Sequence, residues 1–232
     1  MRSAAHASRQ ALEQVAWIQR CGAGVVETLA SAAHVEGFRT GATVASFAPS
    51  GGFNEDLLIV VEGSLDLAIS NVQGRRFLML VAGPGHALGL VPGLDGGPRL
   101  LEATAKSPGI VLRIPRSAFM QAVQDSPALA QAVLELLCTH IRWTHRMLAS
   151  RHLDHLSQRL ARLLLDQTQL AGDCVVKLTQ ADLADMLGVT RQSINFELRT
   201  LADAAVVALG RNRVEIRDFA SLARQAGQVG LS

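Results

Sequence analysis

Residues 179–201, TQADLADMLGVTRQSINFELRTL, read as two short helices joined by a tight turn. Thr179 is a natural N-cap, with Asp182 three residues later as its capping-box partner. Leu183, Ala184 and Leu187 give the first helix an apolar face, and Gly188 supplies the left-handed position that ends it. Thr190 caps the second helix, whose apolar Ile194, Leu198 and Leu201 fall on one side at helical spacing. Arg191, Gln192, Asn195, Phe196 and Arg199 form the opposing arc. This is the layout of a helix-turn-helix, whose second helix enters a major groove.

The surroundings of this motif are consistent with it. Residues 175–178 read as a small strand before it. After it, residues 206–209 and 214–216 bracket Gly210-Arg211-Asn212-Arg213, a two-strand hairpin with a basic tip. A helix-turn-helix followed by such a hairpin is a winged helix, and Arg211 and Arg213 then sit where a wing reaches phosphate. Charge adds little: the whole chain carries +2, and from Arg151 onward 10 Lys/Arg face 9 Asp/Glu. Affinity for nucleic acid must rest on placement of a few arginines, because non-specific binders carry a larger imbalance.

The 232 residues exceed one average domain, and 49% are hydrophobic, so a substantial core is expected. The longest purely apolar run, residues 57–61, is too short to span a bilayer, and no secretory signal is evident. His6 and Arg9 decorate what reads as a polar N-terminal tail. Cys21, Cys138 and Cys174 form no CxxC pair and no disulfide framework, which suits a reducing cytoplasm.

Residues 10–34 carry helical spacing (Leu12, Val15, Ile18, then Val25, Val26, Leu29), broken by Cys21-Gly22-Ala23-Gly24. From Gly37 to Pro115 the character changes to short β-type runs at 43–47, 57–61, 65–69, 77–81 and 111–114. Gly41, Gly51-Gly52, Gly63, Gly74, Gly83-Pro84-Gly85 and Gly96-Gly97-Pro98 punctuate them, as in an antiparallel barrel or roll. Pro127 opens a long helix running to about Ala149. Along it Ala130, Leu134, Leu137, Ile141, Thr144 and Leu148 alternate spacings of four and three, a heptad seam fit for a two-helix interface. A seam that packs on the roll within one subunit is the alternative. Asp154 is placed to cap the next helix, with Leu156, Leu160, Leu163 and Leu164.

The order of these parts resembles the cyclic-AMP receptor protein (CRP/FNR) family of bacterial transcription regulators, over about residues 29–223. The sharpest match is VTRQSINFELRTLADAAVV (189–207) followed by GRNRVEIRD (210–218), which looks like the family's recognition helix and wing. Residues 85–105, GHALGLVPGLDGGPRLLEATA, are similar to its phosphate-binding cassette. The resemblance implies an α+β architecture: a helix and β-roll effector domain over 1–125, a dimerisation helix and hinge over 126–152, and a winged helix-turn-helix over 153–232. It implies a cytoplasmic homodimer on double-stranded DNA with two-fold related half-sites, working with RNA polymerase and away from membranes.

Within that resemblance, Gly89 and Arg99 keep the family's residues, whereas Leu90 stands where a glutamate usually binds the ribose hydroxyl. Leu100 replaces a serine. Gly89, Leu90, Arg99, Leu100, Thr144 and His145 are the effector-pocket candidates, and cyclic AMP bound in the usual way is not expected. Neither is an iron–sulfur cluster, for want of a cysteine cluster. His86, His140 and His145 are formally available as haem ligands, so haem-dependent and effector-independent control both stay open. The dimer seam is Leu134, Leu137, Ile141, Thr144 and Leu148. Arg191, Gln192, Asn195 and Phe196 are the base readers, and Thr179, Gln180, Arg199, Arg211 and Arg213 the phosphate contacts. No catalytic residue and no metal ligand set is expected. A cupin-like metalloenzyme, the remaining alternative class, lacks its close His-x-His pair.

Overall fold

A computed structural model describes residues 2–46, 55–71, 73, 76–171 and 173–227. The chain divides into two units, Met1–His140 and Ile141–Ser232, with the division falling inside one long helix. The first unit opens with helices α1 (Arg2–Glu13), α2 (Ala16–Gln19) and α3 (Ala23–Ala32). Strands β1 (His34–Phe38), β2 (Thr43–Ala45), β3 (Leu57–Glu62), β4 (Leu65–Ser70), β5 (Arg76–Ala82) and β6 (Ala87–Leu88) follow. Helix α4 (Leu90–Asp95), strands β7 (Glu102–Ala105) and β8 (Gly109–Ile114), helix α5 (Arg116–Asp125) and the start of α6 (Pro127–Leu153) complete it.

The strands form two antiparallel four-stranded sheets, in the orders β1-β8-β3-β6 and β2-β7-β4-β5. Together they make the β-roll. Side chains alternate across a strand, and β3 shows what each face meets. Leu58 and Val60 join Leu65, Leu67, Ala103 and Ala105 between the sheets. Leu57 and Ile59 turn the other way, onto a core with Leu12, Leu29, Phe119 and Leu129 of the helices. A strand covered on both faces reads as a continuous apolar run rather than an alternating one.

Several expectations are corrected. The polar N-terminus is helix α1, not a tail: Leu12 and Ser8 are fully buried, and Arg9 pairs with Glu13 at 2.9 Å and with Glu27 of α3 at 3.2 Å. The break between helices is shorter than the sequence suggests. Gly22 is the N-cap of α3 at a positive φ (94°) that favours glycine, while Ala23 and Gly24 already belong to α3. Strands β1, β6 and β7 were absent from the β-type runs, and α5 intervenes before α6. Phe47, Gly51-Gly52 and Gly74 lie outside the described residues.

The second unit contains the end of α6, then α7 (Leu156–Ala171), β9 (Val175–Val176), α8 (Gln180–Leu187) and α9 (Arg191–Asp203). Strands β10 (Val207–Gly210) and β11 (Arg213–Ile216) and helix α10 (Phe219–Ala226) end it. Asp154 does not open α7: its backbone N–H still donates to Ser150, and its carboxylate takes Arg162 instead. The first turn of α7 is tied by Gln158, whose side chain accepts from the His155 N–H at 2.9 Å. Among the described residues no helix is long and apolar enough to cross a membrane.

The tightest packing in the roll is at the start of β8. A Cβ on Gly109 would lie 2.0 Å from the Glu62 carbonyl oxygen and 2.6 Å from the Phe38 ring, opposite the bulge in β3. Backbone cannot yield as a flexible side chain does. Gly109→Ala should therefore destabilise the first unit by at least the about 1–3 kcal/mol typical of overpacking, measured by chemical or thermal denaturation. An unchanged midpoint would contradict this close approach.

Candidate nucleic-acid interface

Both helices of the motif begin as the sequence dictates. The Thr179 hydroxyl accepts from the Asp182 N–H (3.1 Å), and the Asp182 carboxylate accepts from the Thr179 N–H (2.8 Å). Gly188 ends α8 in the left-handed conformation (φ 65°). Thr190 then accepts from the Ser193 N–H (3.1 Å) to start α9. Leu183, Ala184, Met186 and Leu187 of α8 and Ile194, Leu198 and Leu201 of α9 are buried. Burying these faces fixes which side of α9 is left to solvent.

That side carries Arg191, Gln192, Phe196 and Arg199, all exposed, and Asn195, half-buried. Phe196 keeps 68% of its surface in solvent, an apolar ring among polar neighbours on a helix with no sequence-local reason to expose it. Thr179 and Gln180 are half-buried at the start of α8. The structure brings two of these residues together unexpectedly: the Gln180 amide donates to the Asn195 side-chain oxygen at 3.3 Å. Asn195 is thereby oriented by α8 rather than independent of it.

The hairpin of β10 and β11 turns through Arg211 and Asn212, and Asn212 sits at φ 57°, a conformation asparagine tolerates better than most residues. Arg211 and Arg213 are exposed, and the Arg213 side chain crosses Gly210, where a Cβ would stand 2.7 Å from its Nε. Strand β9 adds to β11 as the third strand. One positioning residue escaped the sequence reading. Arg159 of α7 donates to the Leu187 carbonyl at the C-terminal end of α8, occupying a carbonyl that α8 itself leaves without a partner. A lone arginine inside an amphipathic helix gives no local sign of such a role.

The effector-pocket candidates fall in different places. Gly89 precedes α4 at φ 83°, and the Arg99 guanidinium lies so close that a Cβ on Gly89 would stand 2.5 Å from its Nη2. Arg99 is only 5% exposed and donates to the Asp56 carbonyl oxygen at 2.7 Å. Burial lowers its pKa, Arg113 lowers it further, and Asp56 opposes them. Leu90 is buried, its side chain in the helix-side core with Leu57, Ile59 and Phe119. Leu100 is exposed, and so are Thr144 and His145 on α6 in the second unit. On the same helix Leu134, Ile141 and Leu148, seven residues apart, remain 57%, 53% and 56% exposed, while Leu137 and Ala130 are half-buried.

Comparison with known proteins gives two domain matches. Residues 50–126 match the model of a cyclic nucleotide-binding domain, and residues 158–225 match a Crp-like helix-turn-helix domain. The chain is 27% identical to the CRP-like cAMP-activated global transcriptional regulator of Mycobacterium tuberculosis, over 73% of this chain and 79% of that protein. It is 29% identical to the HTH-type transcriptional regulator Cmr of the same organism, over 94% and 91% of the two chains. The fold is shared with FixK2 from Bradyrhizobium japonicum, with a TM-score of 0.74 at 20% identity, over 84% and 98%.

The capping box is the local device on which the start of α8 depends. Thr179→Ala should lower the stability of the second unit by about 0.5–2 kcal/mol. Thr179→Ser, which keeps the hydroxyl, should stay near the parent. Equal losses for the two variants in denaturation would show that the cap contributes nothing.

Proposed function

We propose that this chain is a DNA-binding transcription regulator of the CRP/FNR family, and from that premise follow how it reads its operator and what sets its activity. The family consists of transcription regulators, not enzymes. The observation that carries the reading is the exposed arc of α9, held by two satisfied caps and backed by a buried apolar face. Arg191 bonds guanine O6 and N7 bidentately, Gln192 pairs with adenine, and Phe196 lies against a thymine methyl. Asn195, oriented by Gln180, completes the base-reading set. Thr179, Gln180, Arg199, Arg211 and Arg213 contact phosphates and set the register of the protein on the duplex.

The working unit is a homodimer in the cytoplasm. Leu134, Ile141 and Leu148 leave an apolar ridge on α6, with Leu137 and Thr144 between them, and an identical helix from a second chain covers it. Half-sites lie about one helical turn apart, so both recognition helices must emerge at the same end of the dimer. The two α6 helices therefore run parallel. RNA polymerase is the partner to which DNA binding is coupled.

Cyclic AMP bound in the usual way is not part of this reading. Arg99 already satisfies the Asp56 carbonyl and fills the space over Gly89. An effector of another class, or none, sets the packing of the α6 pair and so the spacing of the recognition helices.

Arg191→Ala should cost about 1–3 kcal/mol of DNA affinity and relax preference at one base position, read from binding to a randomised operator library. A uniform loss across all sequences would make Arg191 a phosphate contact instead. Adding cyclic AMP to purified protein should change operator affinity by far less than the about 5–150-fold typical of allosteric coupling. A shift within that range in a titrated gel-shift assay would overturn the reading of Arg99.

A further inference from the structure

Asn195 is not free to choose what it shows to a base pair. Its side-chain oxygen Oδ1 accepts from Nε2 of Gln180, the first residue of α8, at 3.3 Å. Both residues are half-buried. Gln180 follows the Thr179 cap, whose box with Asp182 is closed from both sides, and Asn195 follows the fully buried Ile194. The bond therefore joins two turns whose backbones are already held. Among the described residues neither side-chain amide makes a second hydrogen bond, so Nδ2 of Asn195 is left for an outside partner.

A side-chain amide carries an acceptor on one side of its carbon and two donors on the other. An unconstrained asparagine pairs bidentately with adenine, its oxygen accepting from N6 and its nitrogen donating to N7. Here the oxygen is turned to α8, so the donor half is the part directed away from that helix. In the major groove guanine O6 and N7 and thymine O4 accept, whereas adenine N6 and cytosine N4 donate. A lone donor suits the first pair of bases. Against the second it meets another donor, and both groups lose water without gaining a partner.

We infer that Gln180 is a specificity-determining positioning residue. By holding the Asn195 oxygen it makes Asn195 a donor-only reader, which prefers guanine or thymine to adenine or cytosine on the strand it faces. This inference rests on the reading of α9 as the helix in the groove, and it assigns the polarity of one contact within that reading. Gln180 Nε2 carries a second hydrogen, which remains for a phosphate oxygen. One side chain then ties the register of the protein on the DNA backbone to the polarity of its base reader.

The test selects sequences from a randomised operator library with the full chain and three variants. Asn195→Ala marks the position, as the one whose preference it erases. There the parent should favour guanine and thymine over adenine and cytosine by about 3–10-fold, the worth of one hydrogen bond. Gln180→Ala releases the amide and should flatten that preference. Gln180→Glu gives the decisive result, because a carboxylate only accepts. Nδ2 of Asn195 then turns to α8, the oxygen faces the groove, and the preference should reverse to adenine and cytosine, whatever affinity the added charge costs for all sequences alike. The position that responds to Arg191→Ala should keep its preference in all three variants. Loss at both positions would mean a displaced helix rather than a turned amide and would overturn the inference. An unchanged preference in Gln180→Glu overturns it while leaving α9 as the reading helix, whereas a parent that selects no sequence overturns the reading of α9 itself.

Discussion

The first unit hangs on one strand. Residues 57–60 of β3 are wholly buried, two side chains toward the opposite sheet and two toward the helices. At about 1.5–3 kcal/mol for each fully buried aliphatic side chain, this four-residue segment contributes to both cores of the unit at once. It also positions the cassette. Asp56 immediately precedes β3, its carbonyl receives Arg99, and β6 pairs with Leu58 and Ile59 just before Gly89 turns into α4. The buried arginine is thus fastened to the least deformable part of the roll, and Gly89 is required because the guanidinium occupies the place of a side chain.

The second unit relies on satisfied helix ends rather than on one strand. Four orphan groups at each terminus need partners, and here side chains supply them. Thr179 and Thr190 serve the starts of α8 and α9, Asp218 serves the start of α10, and Arg159 serves the end of α8. Arg162 joins Asp154 to the end of α10 by donating to the Ala226 carbonyl. These contacts are short-range and polar, and they leave Arg191, Gln192, Phe196 and Arg199 of α9 exposed.

Where the sequence was legible, a single residue type had a single use. Thr179, Gly188 and Thr190 punctuate the motif because hydroxyl caps and left-handed glycines have few other roles at those spacings. The hairpin tip was equally plain. Strand β7 was not, because EATA offers alanines that pack in a narrow space instead of the β-branched residues that mark a strand. Helix α1 was hidden by its polar composition, since Leu12 and Ser8 bury only a thin stripe. Asp154 failed for a different reason: it is competent for the role assigned, but a distant partner claimed it. Arg162 took the carboxylate. Tertiary competition of that kind leaves no local trace.

The near-neutral charge of the second unit looks at odds with binding a polyanion, and placement resolves it. Most of its acids are engaged locally: Asp154 with Arg162, Asp182 and Asp218 at helix starts, Asp173 on the Val175 N–H, Glu215 with Arg217. Arg191, Arg199, Arg211 and Arg213 are left at the exposed surface of α9 and the wing. Four arginines per chain make a modest electrostatic contribution, because each neutralised phosphate adds only its share of counterion release. A single recognition helix of this charge is a weak reader. In the proposed dimer, joining two of them through the α6 seam would make the second half-site contact intramolecular, and effective concentration would then supply the affinity that charge does not.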